Sequence, residues 1–203
     1  MQRQIQKIFF TFLVFFFSFW LQAKQNEVSS SAYKSAPALN KKVITTDWPR
    51  FNGPYDNASS TETHLLKDWQ NNQPETLWEV AKGEGYASPA VSQGILVLFH
   101  RKAGMESIEG LNSETGLMLW SYKYPVEYRD RYGYSHGPRA SPVINGDFVY
   151  AHGVTSWLSC IHLKTGKLIW QRDLKNEFTI PDYFFGKGSN PIIYKNYLIL
   201  NVG

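Results

Sequence analysis

The stretch that decides the fold is LSCIHLKTGKLIW, residues 158–170, because its pattern occurs once before as IEGLNSETGLMLW, residues 108–120. In both copies an apolar strand runs into a Thr-Gly turn, and the next strand carries a tryptophan. Glycine accepts positive φ in such a turn, and the apolar run after it favours a strand. Each copy therefore predicts a β-hairpin. The repeated residues are Thr115, Gly116 and Trp120 in the first copy and Thr165, Gly166 and Trp170 in the second.

The repeat extends outward from the two hairpins. Ser88-Pro89 opens the first copy, Ser141-Pro142 opens the second, and Asn190-Pro191 begins a third. Each opening is followed by a turn and an apolar run. A period of about 50 residues with four short strands per unit is typical of the blades of a β-propeller.

These residues resemble the pyrroloquinoline-quinone-type (PQQ-like) propeller repeat, a family marked by a tryptophan docking motif. The similarity covers Asp47–Gly203. It includes the opening WPRFNGP, residues 48–54, which looks like the lead-in of exported propellers such as the lipoprotein subunit of the outer-membrane β-barrel assembly machinery. The resemblance implies an all-β fold, a propeller of four-stranded antiparallel blades.

The resemblance also implies how the tryptophans pack. In the family each tryptophan lies between adjacent blades, beside the glycine of a neighbouring turn. This implies that Trp120 packs with Gly166, and that Trp170 packs with Gly116 or with the next unit.

The propeller region, 47–203, divides into several predicted parts. A lead-in of irregular chain held by its aromatic residues covers 47–75. An orphan strand at 76–80 resembles the last strand of a unit. Each blade buries its faces against its neighbours, so we expect this chain to be the N-terminal part of a longer ring, and the alternative is a partner chain that completes it. The two predicted blades cover 88–124 and 141–174, and a third begins at 190–203.

The N-terminus predicts export. Residues 1–23 combine two basic residues, a Phe-rich apolar run and an alanine at the expected cleavage site, as signal peptides do, with an uncleaved anchor as the alternative. We expect this segment to be the only contact with a membrane. Residues 24–46 are rich in Ser, Ala, Asn and Lys and predict a flexible tether. The chain is then periplasmic or associated with the cell envelope.

Charge and motifs exclude several function classes. The whole chain has 21 basic and 17 acidic residues, and loss of Arg3 and Lys7 with the signal brings the balance close to neutral, so nucleic acid is not an expected partner. The single cysteine, Cys160, allows no internal disulfide and predicts a packed strand residue. The histidines lack metal-site spacing, and no nucleophile elbow, phosphate loop or HExxH motif occurs, so we predict no catalytic or metal residue.

Two long inter-blade loops carry the candidate binding residues. Loops at Tyr124–Arg139 and Glu177–Asn190 combine aromatic residues with basic ones. Rings supply contact area at low entropy cost and guanidinium groups pair with carboxylates, so this composition predicts a binding surface. The alternative is that the rings only cover the end of the propeller. The candidates are Tyr128, Arg129, Arg131, Tyr132, Tyr134, His136 and Arg139 in the first loop and Tyr183, Phe184 and Phe185 in the second.

Glycines stand just ahead of each predicted inner strand and allow tight turns at the rim of the central channel. The side chains beside them become candidate rim residues. These are Tyr86, Arg139 and Asn190.

Two hypotheses of different classes follow. The first is a non-catalytic propeller that binds or scaffolds a protein partner in the cell envelope, with no cofactor. The second is a quinoprotein dehydrogenase, in which PQQ and calcium oxidise an alcohol or sugar. Such dehydrogenases carry a vicinal cysteine pair, which one cysteine cannot supply, and nothing around Glu127, Glu177 or Asp182 specifies a metal cage.

Overall fold

The structure, a computed structural model, describes residues 30–32, 34–35, 37, 42–63, 65–181 and 185–202. Within these residues the protein is built from strands and one helical turn. No helix in this described part is long and apolar enough to cross a membrane. The predicted signal at 1–23 and the candidate residues Tyr183 and Phe184 lie outside it.

The first two strands, β1 (Ser30–Ala32) and β2 (Trp78–Val80), pair antiparallel. β2 lies at the predicted orphan strand. β1 lies inside the predicted tether, so this part of 24–46 is a strand and not free chain. Its pairing requires no apolar side chains because it uses the backbone groups of a sheet edge, and the Leu77 carbonyl accepts a further bond from the Lys34 amide at 3.2 Å.

Two four-stranded antiparallel sheets follow, and they confirm the predicted propeller fold with part of a ring. Sequential strands are neighbours in both sheets, so each runs from an inner to an outer strand. Blade 1 consists of β3 (Ala90–Ser92), β4 (Ile95–Lys102), β5 (Met105–Asn112) and β6 (Met118–Pro125). Blade 2 consists of β7 (Val143–Asn145), β8 (Phe148–His152), β9 (Trp157–His162) and β10 (Leu168–Asp173).

A short helix and a hairpin end the described chain. Helix α1 (Leu174–Glu177) begins where blade 2 ends, and the Asp173 side chain accepts the Lys175 amide at 3.0 Å as its N-cap. Strands β11 (Ile192–Tyr194) and β12 (Tyr197–Ile199) then pair antiparallel at the predicted start of a third unit.

The core lies between the two blades. Side chains alternate across each strand, so one face of blade 1 presents Phe99 and Ile108 while the facing side of blade 2 presents Val149 and Ile161. All four are fully buried. Burial of such a side chain contributes about 1.5 to 3 kcal/mol, so the contact between the blades stabilises the fold.

The topology separates two edges of the blades. Strands β4 and β6 end on the same edge, where the Val126 amide donates to the Gly104 carbonyl at 2.9 Å. All inter-blade loops lie there, and we call it the loop edge. The Thr-Gly turns at 113–117 and 163–167 lie on the opposite edge, the turn edge.

The lead-in lies along the inner strands. Trp48 and Val91 exchange both backbone hydrogen bonds, at 2.8 and 2.9 Å, and the Pro49 carbonyl accepts the Ile144 amide of blade 2 at 2.8 Å. Phe51 and Trp69 are exposed, whereas Trp48 is half-buried with its ring against Gly53. The sequence gives no signal for the backbone pairing, because it uses main-chain groups alone.

Candidate binding surface on the inter-blade loops

The first inter-blade loop folds around the side chain of Asp130. This carboxylate is buried, and its Oδ1 accepts the amides of Tyr132 at 2.9 Å and Tyr134 at 3.1 Å. Aspartate favours such turns because its side chain accepts hydrogen bonds from amides that follow it closely in the chain. The Tyr132 and Tyr134 amides thus face the buried carboxylate, while the two side chains are exposed.

Arg139 closes the loop from its other end. Its Nη2 donates to Asp130 Oδ2 and to the Ser135 carbonyl, both at 2.8 Å. The guanidinium also lies over the rings of Tyr128, at 5.2 Å from the centroid, and Tyr86, at 5.8 Å. These are cation–π distances, so Arg139, Tyr128 and Tyr86 form the base of the loop.

The charge of Asp130 suits this role. Burial by itself would raise the pKa of Asp130, but the amides of Tyr134 and Tyr132 and the charge of Arg139 outweigh burial and hold the pKa below its ordinary value. Asp130 is therefore ionised near neutral pH. The ion pair and the two amide bonds act together on one carboxylate.

Arg101 of β4 supports the same loop from below. Its guanidinium donates to the carbonyls of Val126 at 2.9 Å, Tyr128 at 3.1 Å and His136 at 3.2 Å. The His136 ring accepts the Asp130 amide at 3.1 Å. The sequence did not identify Arg101 as part of the site, because the candidates were sought in loops and Arg101 lies in β4. The one available signal was a basic residue in a strand just before a turn.

An exposed group of rings joins the two loops. The rings of Tyr132 and Tyr134 lie 6.1 Å apart, and those of Tyr132 and Phe185 lie 6.0 Å apart. Their exposed fractions are 58%, 69% and 55% for Tyr132, Tyr134 and Phe185. We call these three residues the aromatic surface. Arg129 and Arg131, in the same loop, are also exposed.

Two hydrogen bonds join the second inter-blade loop to blade 2, and a third lies within the loop. The Lys187 amide donates to the Val154 carbonyl at 3.1 Å, and its ammonium group donates to the Pro181 carbonyl at 2.6 Å. The His152 ring donates from Nδ1 to the Ser189 carbonyl at 3.1 Å. These contacts hold the described residues that follow Phe185 against blade 2.

The residues before the inner-strand prolines form a series of hydrogen bonds from blade to blade. The Ser88 amide donates to Ser141 Oγ at 3.0 Å, and the Ser141 amide donates to Asn190 Oδ1 at 2.7 Å. The three residues are equivalent in the repeat. Asn190, a candidate rim residue, thus receives a bond from the preceding blade. We call this series the rim ladder.

The tryptophan of blade 1 packs across the seam between blades. Trp120 Nε1 donates to the Leu163 carbonyl of blade 2 at 2.6 Å. A Cβ atom added to Gly166 would lie 2.7 Å from the Trp120 ring. Gly110, opposite Trp120 in β5, leaves equally little room on the other side. The indole therefore lies between one glycine of each blade.

Trp78 packs against Gly116. The resemblance to the family had implied Gly116 as one of two possible partners of Trp170. Trp78 Nε1 donates to the Ser113 carbonyl at 3.1 Å, and a Cβ atom on Gly116 would lie 2.6 Å from its ring. Trp170 cannot share this place, because it lies on the last strand of blade 2 and its ring is 6.1 Å from that of Tyr150.

Cys160 lies opposite Trp170 in β9 and is buried. Burial raises the pKa of its thiol to about 11, so the thiolate is scarce near neutral pH. The residue is a poor nucleophile in the folded protein.

Two buried carboxylates were not found from the sequence. Glu106 accepts the Tyr124 hydroxyl at 2.6 Å and the Val154 amide at 2.9 Å, and its burial raises its pKa despite these bonds. Glu109 accepts His100 Nε2 at 3.0 Å. Strand residues of alternating polarity normally point to solvent, so the sequence gives no sign that Glu106 contacts blade 2 or that Glu109 is buried against His100 of its own blade.

The described residues bring no set of acidic side chains together that would hold the calcium ion of a PQQ site. Among them, no group of three or more His, Cys, Asp or Glu side chains could hold a metal ion. Glu127 is exposed, and the Glu177 carboxylate is engaged by Arg172. Asp182 lies outside the described part.

The blades and their repeated residues define a β-propeller of the PQQ-like type. The family model described as "Outer membrane protein assembly factor BamB" matches residues 57–184, more than half of the chain. The chain therefore belongs to this PQQ-like family.

The solved structures that are similar to the chain include the following two. BamB from Moraxella catarrhalis matches with 17% identity and a TM-score of 0.42, covering 61% of this chain and 32% of that one. Quinohemoprotein alcohol dehydrogenase from Comamonas testosteroni matches with 19% identity and a TM-score of 0.42, covering 59% of this chain and 17% of that one. The chain thus spans a third or less of either protein. No curated protein matches it.

Proposed function

We propose that this chain is an exported, non-catalytic propeller that binds a protein partner in the cell envelope through its aromatic surface, in support of outer-membrane protein assembly. The family description supports the process. The observation that carries the binding role is the group of exposed rings at Tyr132, Tyr134 and Phe185, drawn from two loops.

Exposed rings on a rigid base favour binding for an energetic reason. The free energy falls when a partner covers large apolar side chains that were in contact with water. A loop that is already ordered also loses little conformational entropy on binding. Asp130 and Arg139 hold the loop in one shape with bonds of 2.8 to 3.1 Å. The rings are therefore already in their binding arrangement before a partner arrives.

The composition of the surface indicates the partner's chemistry. The surface consists of two tyrosines and a phenylalanine, and the exposed Arg129 and Arg131 belong to the same loop as the tyrosines. Such a surface fits a protein segment with apolar residues flanked by Asp or Glu, since arginine pairs with carboxylates through two parallel hydrogen bonds. The mature chain has too little net positive charge to favour nucleic acid instead.

Site-specific cross-linking tests the proposal. A photoreactive phenylalanine analogue at Tyr134, in the full-length protein inside cells that produce it, should form an adduct with one envelope protein. The same analogue at Lys164, exposed on the turn edge, should not. Tyr132→Ser and Phe185→Ser should each reduce the Tyr134 adduct several-fold while changing stability by about 0.5 kcal/mol or less. Equal adducts from Tyr134 and Lys164 would contradict the proposal.

The envelope location rests on residues 1–23, which carry the signal pattern. Fractionation should recover the protein with the envelope, and deletion of 1–23 should leave it in the cytoplasm. Recovery of the intact protein in the cytoplasm would overturn export.

The dehydrogenase alternative has a direct test. Full-length protein incubated with PQQ and calcium should show no change in cofactor absorbance and no dye reduction with alcohols or sugars. Reduction of the dye would replace the binding role by catalysis.

A further inference from the structure

The second inter-blade loop depends on a buried histidine. His152 is 1% exposed and stands at the end of β8, on the loop edge. Its Nδ1 must carry the proton, because the atom 3.1 Å away is the Ser189 carbonyl oxygen, which only accepts. The other ring nitrogen, Nε2, is buried without a hydrogen-bond partner.

This arrangement suits only the neutral ring. A proton on Nε2 would create a buried charge and a buried donor with no acceptor, and both are costly. The ammonium group of Lys187, on the loop that His152 holds, adds repulsion between like charges. Burial is the largest cause and lowers the pKa of His152 from its ordinary value; the hydrogen bond to Ser189 acts in the opposite direction, and the charge of Lys187 adds to the lowering.

The titratable groups around His152 come from each neighbouring element. Lys187 lies on the second loop, and Arg139 of the first loop lies against Gly188. Glu106 of β5 lies against Gly153, but its two oxygens are bonded to Tyr124 and Val154. No described carboxylate bonds to His152 itself.

We propose that His152 holds residues 185–190 of the second loop in an acid-sensitive clasp, closed near neutral pH and released when the surrounding compartment acidifies. Release moves Phe185 away from Tyr132 and divides the aromatic surface. The consequence for binding rests on the proposed function, whereas release of the loop does not.

The direction follows from linkage. A histidine whose pKa is lowered by the closed loop binds a proton more readily when the loop is open. The closed loop is therefore fully stable above about pH 6.5, the ordinary value for histidine, and loses stability as the pH falls below it.

Amide hydrogen exchange in the full-length protein tests the clasp. The Lys187 amide, bonded to Val154, reports the loop, and the Leu163 amide, bonded to Asp147 on the turn edge, reports blade 2. After correction for intrinsic exchange, protection at Lys187 should fall at least ten-fold from pH 7.5 to 5, with Leu163 still protected. Constant protection at Lys187, or a parallel loss at both amides, would overturn the proposal.

Two variants separate His152 from other titrating groups. His152→Asn retains an N–H that can reach the Ser189 carbonyl but does not titrate, so its Lys187 protection should be independent of pH. His162→Asn, the control at a half-buried histidine on the turn edge, should behave as wild type. If the control variant abolished the pH dependence, His152 would not be the sensor. Cross-linking from Tyr134 at both pH values then reports binding separately.

Discussion

The indole of Trp120 on blade 1 lies against Gly166 on blade 2, and its Nε1 donates to the Leu163 carbonyl three residues before that glycine. Trp78 stands in the same relation to Gly116 and Ser113. The contact that joins strand β2 to blade 1 is therefore repeated between blade 1 and blade 2. It gives each seam both apolar contact and a directional hydrogen bond.

Gly166→Ala should destabilise the protein through this contact. The left-handed backbone, with φ of 68°, costs any L-residue about 1 to 2 kcal/mol. The new methyl would also overlap the Trp120 ring, which adds about 1 to 3 kcal/mol. Urea unfolding followed by circular dichroism measures the sum.

Gly146→Ala is the matched control. Gly146 has a φ of 57°, and a Cβ atom there meets nothing within 4 Å. It should show the backbone cost alone. Equal losses in the two variants would mean that the Trp120 contact contributes nothing to the seam.

The rim ladder yields a second prediction. Asn190→Ala removes the acceptor of the Ser141 amide and should lower stability by about 1 to 3 kcal/mol, because it leaves this part-buried donor without a partner. Asn190→Asp retains an acceptor oxygen and should cost less. Urea unfolding of both variants decides, and an Ala variant as stable as the Asp variant would exclude a role for the bond.

The repeat made the fold predictable, because hairpins, prolines and tryptophans mark each unit in the sequence. The strands β3 to β10 fall where those marks place them. The partners of Trp78 and Arg101 were not predictable, because each pairs with atoms from another unit or loop. A periodic pattern shows which residues are equivalent and leaves open which of them meet.

The loop candidates divide in the same way. Composition selected Tyr132 and Phe185 together with Arg139 and His136, since rings and basic groups look alike in a sequence whether they face solvent or not. The structure exposes the first two and turns the second two inward, towards Asp130. The hydrogen bonds of Asp130 distinguish the inward-facing residues from the exposed ones. They could not be predicted, because an aspartate in a loop has many possible partners.

The hydrogen bond between the buried Glu106 and Tyr124 should make a pH-dependent contribution to stability. Burial raises the pKa of Glu106, while the Tyr124 hydroxyl favours its charged form. Loss of that hydroxyl in Tyr124→Phe should cost about 1 to 3 kcal/mol on the alkaline side of this raised pKa, where the carboxylate is charged. Because its pKa is raised, Glu106 gains a proton as the pH falls towards 4.5. The lost hydrogen bond favours the charged form, so the loss of stability should shrink over this range.

A second substitution isolates the carboxylate. Glu106→Gln, added to Tyr124→Phe, removes the buried charge and should recover stability at pH 7.5 but not at pH 4.5. Urea unfolding at the two pH values provides the comparison. A loss in Tyr124→Phe that is the same at both pH values would show that packing, and not the carboxylate, accounts for it.

Arg139 should control the order of the first loop. Arg139→Lys keeps the charge but cannot bond Asp130 and Ser135 through one flat group while stacking on Tyr128, so the loop should open more often. An arginine-specific protease should then cleave after Arg129 and Arg131 at least ten-fold faster than in wild type. Arg172→Lys, which alters an exposed ion pair with Glu177, should leave both rates unchanged. Unchanged cleavage in Arg139→Lys would mean that Arg101 and Asp130 order the loop without it, and the aromatic surface would lose one of its supports.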